Sequence, residues 1–144
     1  MVRISVVADR EGWRDSRVQH VFATTQSCRK IARGGYVEAS RLCFARQVRR
    51  GAFLQVVAHL AAMASFHQAD WLVACPRVEH ADSYRRMFGF KSIAPPRRYY
   101  GVAFDTPLLA ISREDIGDDV REAPPMKKAW STALEHLTRS ATCA

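Results

Sequence analysis

From Tyr36 to Ile111 the chain switches repeatedly between two hydrophobic periods, and this alternation constrains its fold more than any other feature. Gly34-Gly35 introduces Tyr36-Val37-Glu38-Ala39-Ser40-Arg41-Leu42-Cys43-Phe44, which reads as a strand. Phe53, Val56, Val57, Leu60, Met63, Ala64 and His67 then follow the i, i+3, i+4, i+7 rule, with Gln55, His59 and Ala62 on the other side. Trp71-Leu72-Val73-Ala74-Cys75 is short and wholly apolar, as expected of a strand buried on both faces, and Pro76 stops it. A second helix over about His80 to Phe88 puts Ala81, Tyr84 and Phe88 on one stripe, and Gly89 is placed to cap it in the left-handed conformation. Phe90 to Ile93 reads as a strand, Pro95-Pro96 as a bend, and Tyr99 to Ile111 as an extended run interrupted near Asp105 to Pro107.

Strand, helix, strand, helix, strand, strand is the order of an α/β sheet layered with helices. The helical connections favour parallel neighbours, and the last two strands suit an antiparallel pair. Upstream, residues 2 to 8 read as a strand, and residues 10 to 34 as polar and irregular with a short helix around Val18 to Phe22. Ser112 to Pro125 reads as a linker. Met126, Trp130, Ala133, Leu134 and Leu137 mark a last amphipathic helix that can dock on the domain or on a partner. The division expected is a core over residues 1–115, then a linker and helix over 116–144.

Composition narrows the function classes. At 144 residues the chain suits one domain. Its longest apolar-rich run, Phe53 to Phe66, is broken by Gln55, His59 and Ser65 and falls short of the ~20 residues of a membrane span. With no signal-peptide pattern at Met1 to Val7, the default compartment is the cytoplasm. The four cysteines, Cys28, Cys43, Cys75 and Cys143, form no C-x-x-C pair and have no histidine at zinc spacing, so neither a metal site nor a disulfide framework is expected. Net charge is +8, with arginine clusters at Arg46, Arg49, Arg50, at Arg85, Arg86 and at Arg97, Arg98. Guanidinium groups favour phosphate and carboxylate, which points to an acidic partner: nucleic acid, a phosphorylated cofactor or an acidic carrier protein. No recognition-helix or RNP-type motif supports nucleic acid.

The motifs are more informative in combination. Glu38-Ala39-Ser40-Arg41-Leu42-Cys43-Phe44 resembles the E-x-S-R strand motif of acyl-homoserine-lactone (autoinducer) synthases and long-chain N-acyl amino acid synthases of bacteria. His80-Ala81-x-x-Tyr84-Arg85-Arg86-x-x-Gly89-Phe90, followed by Arg97-x-Tyr99-x-Gly101-Val102 and Pro107-Leu108-Leu109, resembles the N-acyl amino acid synthases more narrowly. Both groups are GNAT-fold N-acyltransferases. The resemblance covers about residues 1 to 115 and implies a mixed α/β sheet with flanking helices that lacks part of the family's N-terminal region.

The resemblance implies an N-acyltransferase that moves a fatty acyl group from a carrier thioester to the amine of an amino acid or its derivative. The donor would be acyl-phosphopantetheine on acyl carrier protein, or acyl-CoA, with no tightly bound cofactor; homo-oligomer formation stays open. Glu38 would be the general base, since the acceptor's ammonium must lose a proton before it can attack. The plain alternative is a half-exposed strand glutamate paired with Arg41, a residue that strict alternation sends to the opposite face unless a bulge intervenes. Ser40 and Arg41 would hold Glu38 or bind the acceptor's carboxylate, and Tyr84 would protonate the departing thiolate or be a core tyrosine.

Arg46, Arg49, Arg50, Gly51 and Ala52 occupy the place of the family's phosphate-binding turn, with one glycine kept and arginines added. Arg3, Phe22, Phe44 and His80 complete the candidate substrate-binding residues. The thioester is expected to enter where the Tyr36–Phe44 and Trp71–Cys75 strands splay apart. The alternative function is a non-catalytic GNAT-like module that docks an acidic partner such as acyl carrier protein.

Overall fold

In the computed structural model, residues 3–7, 16–22, 25–40, 51–98, 103–116 and 124–142 are described. They form β1 (Arg3–Val7), α1 (Arg17–Phe22), α2 (Gln26–Arg33), β2 (Tyr36–Ser40), α3 (Gly51–Phe66), β3 (Trp71–Ala74), α4 (Val78–Phe88), β4 (Lys91–Arg98), β5 (Asp105–Ser112) and α5 (Pro124–Thr142). The strands make one five-stranded sheet in the order β1-β2-β3-β5-β4. As the helical connection requires, β2 and β3 run parallel, with Tyr36 opposite Trp71 and Ala39 opposite Ala74. The other three pairings, β1 with β2, β3 with β5, and β4 with β5, are antiparallel.

Side-chain alternation along these strands builds a core on each face of the sheet. Val37, Leu72, Ala74, Leu109 and Ile111 point to one face, where α3, α4 and α5 supply Val57, Leu60, Ala61, Ala81, Phe88 and Met126. Tyr36, Val73, Leu108 and Ala110 point to the other, where α1 and α2 supply Val18, Phe22, Cys28 and Ile31. Each fully buried large apolar side chain in these layers contributes about 1.5–3 kcal/mol.

Four elements differ from the sequence expectation. Helix α2 occupies a stretch read as irregular because only Cys28 and Ile31 of it are buried apolar residues. Its signals were local ones: the Thr25 hydroxyl accepts from the Cys28 N–H at 3.2 Å, and Lys30 and Arg33 lie in the last turn. Strand β4 runs through Pro95-Pro96 instead of bending there. It is an edge strand with register irregularities between Ser92 and Arg97, the setting in which a missing backbone N–H is tolerated. For the same reason β5 continues through Asp105 to Pro107: the irregular part of β4 faces Pro107, and pairing with β3 begins only at Leu109. Pro124, assigned to a linker, starts α5, where a proline's fixed φ suits the first turn.

Helix α3 is buried on more than one side. Ala62, expected on its outer face, is fully buried, whereas His67 lies beyond the helix end and is exposed. The reason is α5, which packs along α3 and buries Met126 and Ala133 between them. The C-terminal helix therefore docks on the domain. Gly89 caps α4 as expected, with φ at 71° and its N–H donating to the Arg85 carbonyl.

Candidate functional site

Glu38 is the third residue of β2, on a rung that runs from Ser5 of β1 through Glu38 to Val73 and Ala110. Its side chain shares a face with Tyr36 and is only 1 % exposed. The half-exposed strand carboxylate considered above is therefore not what the chain builds. A carboxylate taken out of water costs several kcal/mol unless donors replace its hydration. Here the Ser16 hydroxyl, immediately before α1, donates to Glu38 Oε2 at 2.8 Å. The Tyr36 hydroxyl is hydrogen-bonded to the same Ser16 oxygen.

The electrostatics follow from burial. The Cys28 thiol is pushed up to about 11 by burial and, secondarily, by the charge of Glu38. The Tyr36 phenol is raised by burial, with the Ser16 hydrogen bond opposing and Glu38 reinforcing. Phe22, fully buried at the end of α1, carries the Arg97 guanidinium 5.8 Å from its ring centroid. Arg97 also donates to the Val21 carbonyl at 3.1 Å, tying edge strand β4 to α1.

Tyr84 is placed elsewhere. It packs into the α3–α4–α5 core, edge-on to Phe90 at 5.8 Å, and burial pushes its phenol up to about 12. The sheet thus separates it from Glu38. His80 is exposed in the first turn of α4. Ser40 ends β2 opposite Arg3 in the backbone register. Gly51 and Ala52 open α3, a helix of 16 residues. Arg41, Phe44, Arg46, Arg49 and Arg50 lie outside the described residues, as does the β2 extension beyond Ser40. Along their described length β2 and β3 stay paired through Ala39 and Ala74, so the expected splay also falls outside.

Sequence reasoning missed Ser16, Tyr36 and Cys28 as neighbours of the carboxylate. Ser16-Arg17-Val18-Gln19 carries the S-x-x-Q pattern of a helix start, and the Gln19 N–H does reach Ser16 Oγ at 3.4 Å. That pattern locates α1 but says nothing of a strand 22 residues away. A cavity of about 430 Å³, lined by Lys30, Arg33, Asp70, Trp71, Arg113 and Glu114 among others, opens at the start of the β2–β3 pair and does not include Glu38. Among the described residues no group of three His, Cys, Asp or Glu is placed to hold a metal ion.

Comparison with known proteins identifies the family and the fold. Residues 3–112 match the family described as N-acyl amino acid synthase FeeM. The fold is similar to that of FeeM, an N-acyl amino acid synthase from uncultured soil microbes, with a TM-score of 0.66 and 13 % identity, covering 81 % of this chain and 67 % of that one. It is also similar to BjaI, a CoA-dependent acyl-homoserine lactone synthase. The structure with MTA gives a TM-score of 0.53 and the one with SAM and isopentyl-CoA 0.54, each at 14 % identity and covering 89 % of this chain and 66 % of that one. The chain therefore spans about two thirds of the length of these solved relatives. No curated protein sequence matches it.

Proposed function

The chain belongs to the FeeM family of N-acyl amino acid synthases, and from that premise we propose that it transfers a fatty acyl group from a thioester to the amine of an amino acid or amino-acid derivative. The observation that carries this reading is Glu38: a buried carboxylate on the second strand of a GNAT-like sheet, held by a hydroxyl donor. Glu38 takes a proton from the acceptor's ammonium, directly or through water. The free amine attacks the thioester carbonyl, a strand N–H stabilises the oxyanion, the C–N bond forms and the C–S bond breaks. The thiolate leaves and is protonated.

The donor is acyl carrier protein or CoA. Its phosphate would meet the first turn of α3 at Gly51 and Ala52 and the arginines Arg46, Arg49 and Arg50 before it. Phe22 and Arg3, together with Ser40, Arg41, Phe44 and His80, are assigned to the acceptor and acyl side. Tyr84 lies across the sheet from Glu38, so it meets the leaving sulfur only where the thioester passes between the β2 and β3 strands, and its role there is a limited one. A phenol held near 12 gives its proton to a thiolate of ordinary basicity only against about 5 kcal/mol, so a hydrogen bond to the departing sulfur suits it better than full proton transfer. We place the reaction in the cytoplasm.

The direct test is to incubate the protein with acyl thioesters of CoA and of acyl carrier protein and a panel of amino acids, and to measure released thiol. Acceptor-dependent release is expected. Its absence with every donor and acceptor contradicts the proposal.

A further inference from the structure

The polar groups over β2 form a chain with a defined direction. A hydroxyl has one proton and two acceptor sites. Ser16 spends its proton on Glu38 Oε2 and accepts from the Gln19 N–H at 3.4 Å. The Tyr36 hydroxyl must then be the donor in the Tyr36–Ser16 bond. The order is Tyr36 O–H to Ser16 Oγ, and Ser16 O–H to Glu38.

We propose that Ser16 and Tyr36 are positioning residues for Glu38, fixing its carboxylate and stabilising its ionised form through this two-hydroxyl chain. The inference rests on the reading of Glu38 as the base. Ser16 and Glu38 are each about 1 % exposed and Tyr36 fully buried, so no bulk water competes for these bonds. A hydroxyl that is itself a hydrogen-bond acceptor is a stronger donor, and a charged acceptor roughly doubles the strength of the bond. Because Ser16 also receives the Gln19 N–H, the same oxygen anchors the start of α1 to the base. Other groups of this neighbourhood that bear on a titration are Cys28 on α2, Cys75 after β3, and Arg97 on β4 over Phe22, with β1 meeting the rung at Ser5. Tyr36 and Cys28 lose their protons only well above neutrality, and neither a phenol nor a thiol carries a carboxylic C=O band, so they do not overlap the signal of Glu38.

The test reads Glu38 itself as well as turnover. Infrared spectra of the full chain across pH, referenced to Glu38→Gln, isolate the carboxylic C=O band of protonated Glu38. In Ser16→Ala the midpoint of that band is expected to rise by about one to two pH units, the value of one hydrogen bond to a charged group. Tyr36→Phe should move it in the same direction by less, and Ser16→Thr should restore it. The acidic limb of kcat/KM should follow, with kcat reduced and donor KM unchanged. An unmoved midpoint in Ser16→Ala, or in Tyr36→Phe if the first variant does not fold, overturns the assignment. A shifted midpoint in protein that transfers no acyl group from any donor overturns the proposed function and leaves this assignment standing.

Discussion

The Arg97 guanidinium lies 5.8 Å from the centroid of the buried Phe22 ring and hydrogen-bonds the neighbouring Val21 carbonyl, so an edge-strand cation clamps the helix next to Glu38. Because α1 has only six residues, packing and not helix propensity holds it in place. Arg97→Ala is expected to cost about 1 kcal/mol and to speed amide exchange in α1 selectively. Arg97→Lys should recover only part of this, since an ammonium lacks the planar fork. Exchange measured by mass spectrometry checks the claim; uniform acceleration across the sheet would contradict a local clamp.

Cys28 should be chemically quiet. Its thiol is held protonated to about pH 11 by burial and by Glu38, and the thiolate is the reactive form. Cys75 is half-buried. With limiting iodoacetamide at pH 8, peptide mapping should find Cys75 alkylated well before Cys28. Early labelling of Cys28 would mean that α2 does not cover it as described.

Stability should fall on the alkaline side. The ordinary values of 9.0 for Cys28 and 10.0 for Tyr84 are raised to about 11 and about 12 in the folded chain, and the Tyr36 phenol is raised too. Between each pair of values the native state binds more protons than the unfolded state, so the free energy of unfolding decreases as pH rises. The contribution is complete below the unfolded value and lost through the folded one, about 3 kcal/mol for each two-unit shift. Urea midpoints should decline from pH 9 upward, and Tyr84→Phe should flatten the upper part of the decline.

Tyr84→Phe also separates two roles. If the phenol only hydrogen-bonds the leaving sulfur, acyl transfer should fall by no more than about tenfold, one hydrogen bond's worth. A loss as deep as that of Glu38→Gln would make Tyr84 the obligatory acid.

Much of this arrangement is written locally in the chain. The period change from β2 to α3 and the apolar run Trp71–Ala74 gave the layering, and Gly89 gave the end of α4, because each depends on neighbours within a few residues. What sequence reading lost depends on distant partners. Pro95-Pro96 reads as a bend until β4 is known to lie at the sheet edge. Ala62 reads as solvent-facing until α5 covers α3. Glu38 was singled out by its motif, but its burial was not, because Ser16 and Cys28 reach it only through the packing of α1 and α2 on the sheet.

The central claim is that the Glu38 carboxylate takes the acceptor's proton. Steady-state thiol release should be compared between the wild-type chain and Glu38→Gln at equal, saturating donor. The account predicts a fall in kcat of about 10²–10⁴-fold with the fold intact by circular dichroism. Wild-type turnover in Glu38→Gln would contradict it.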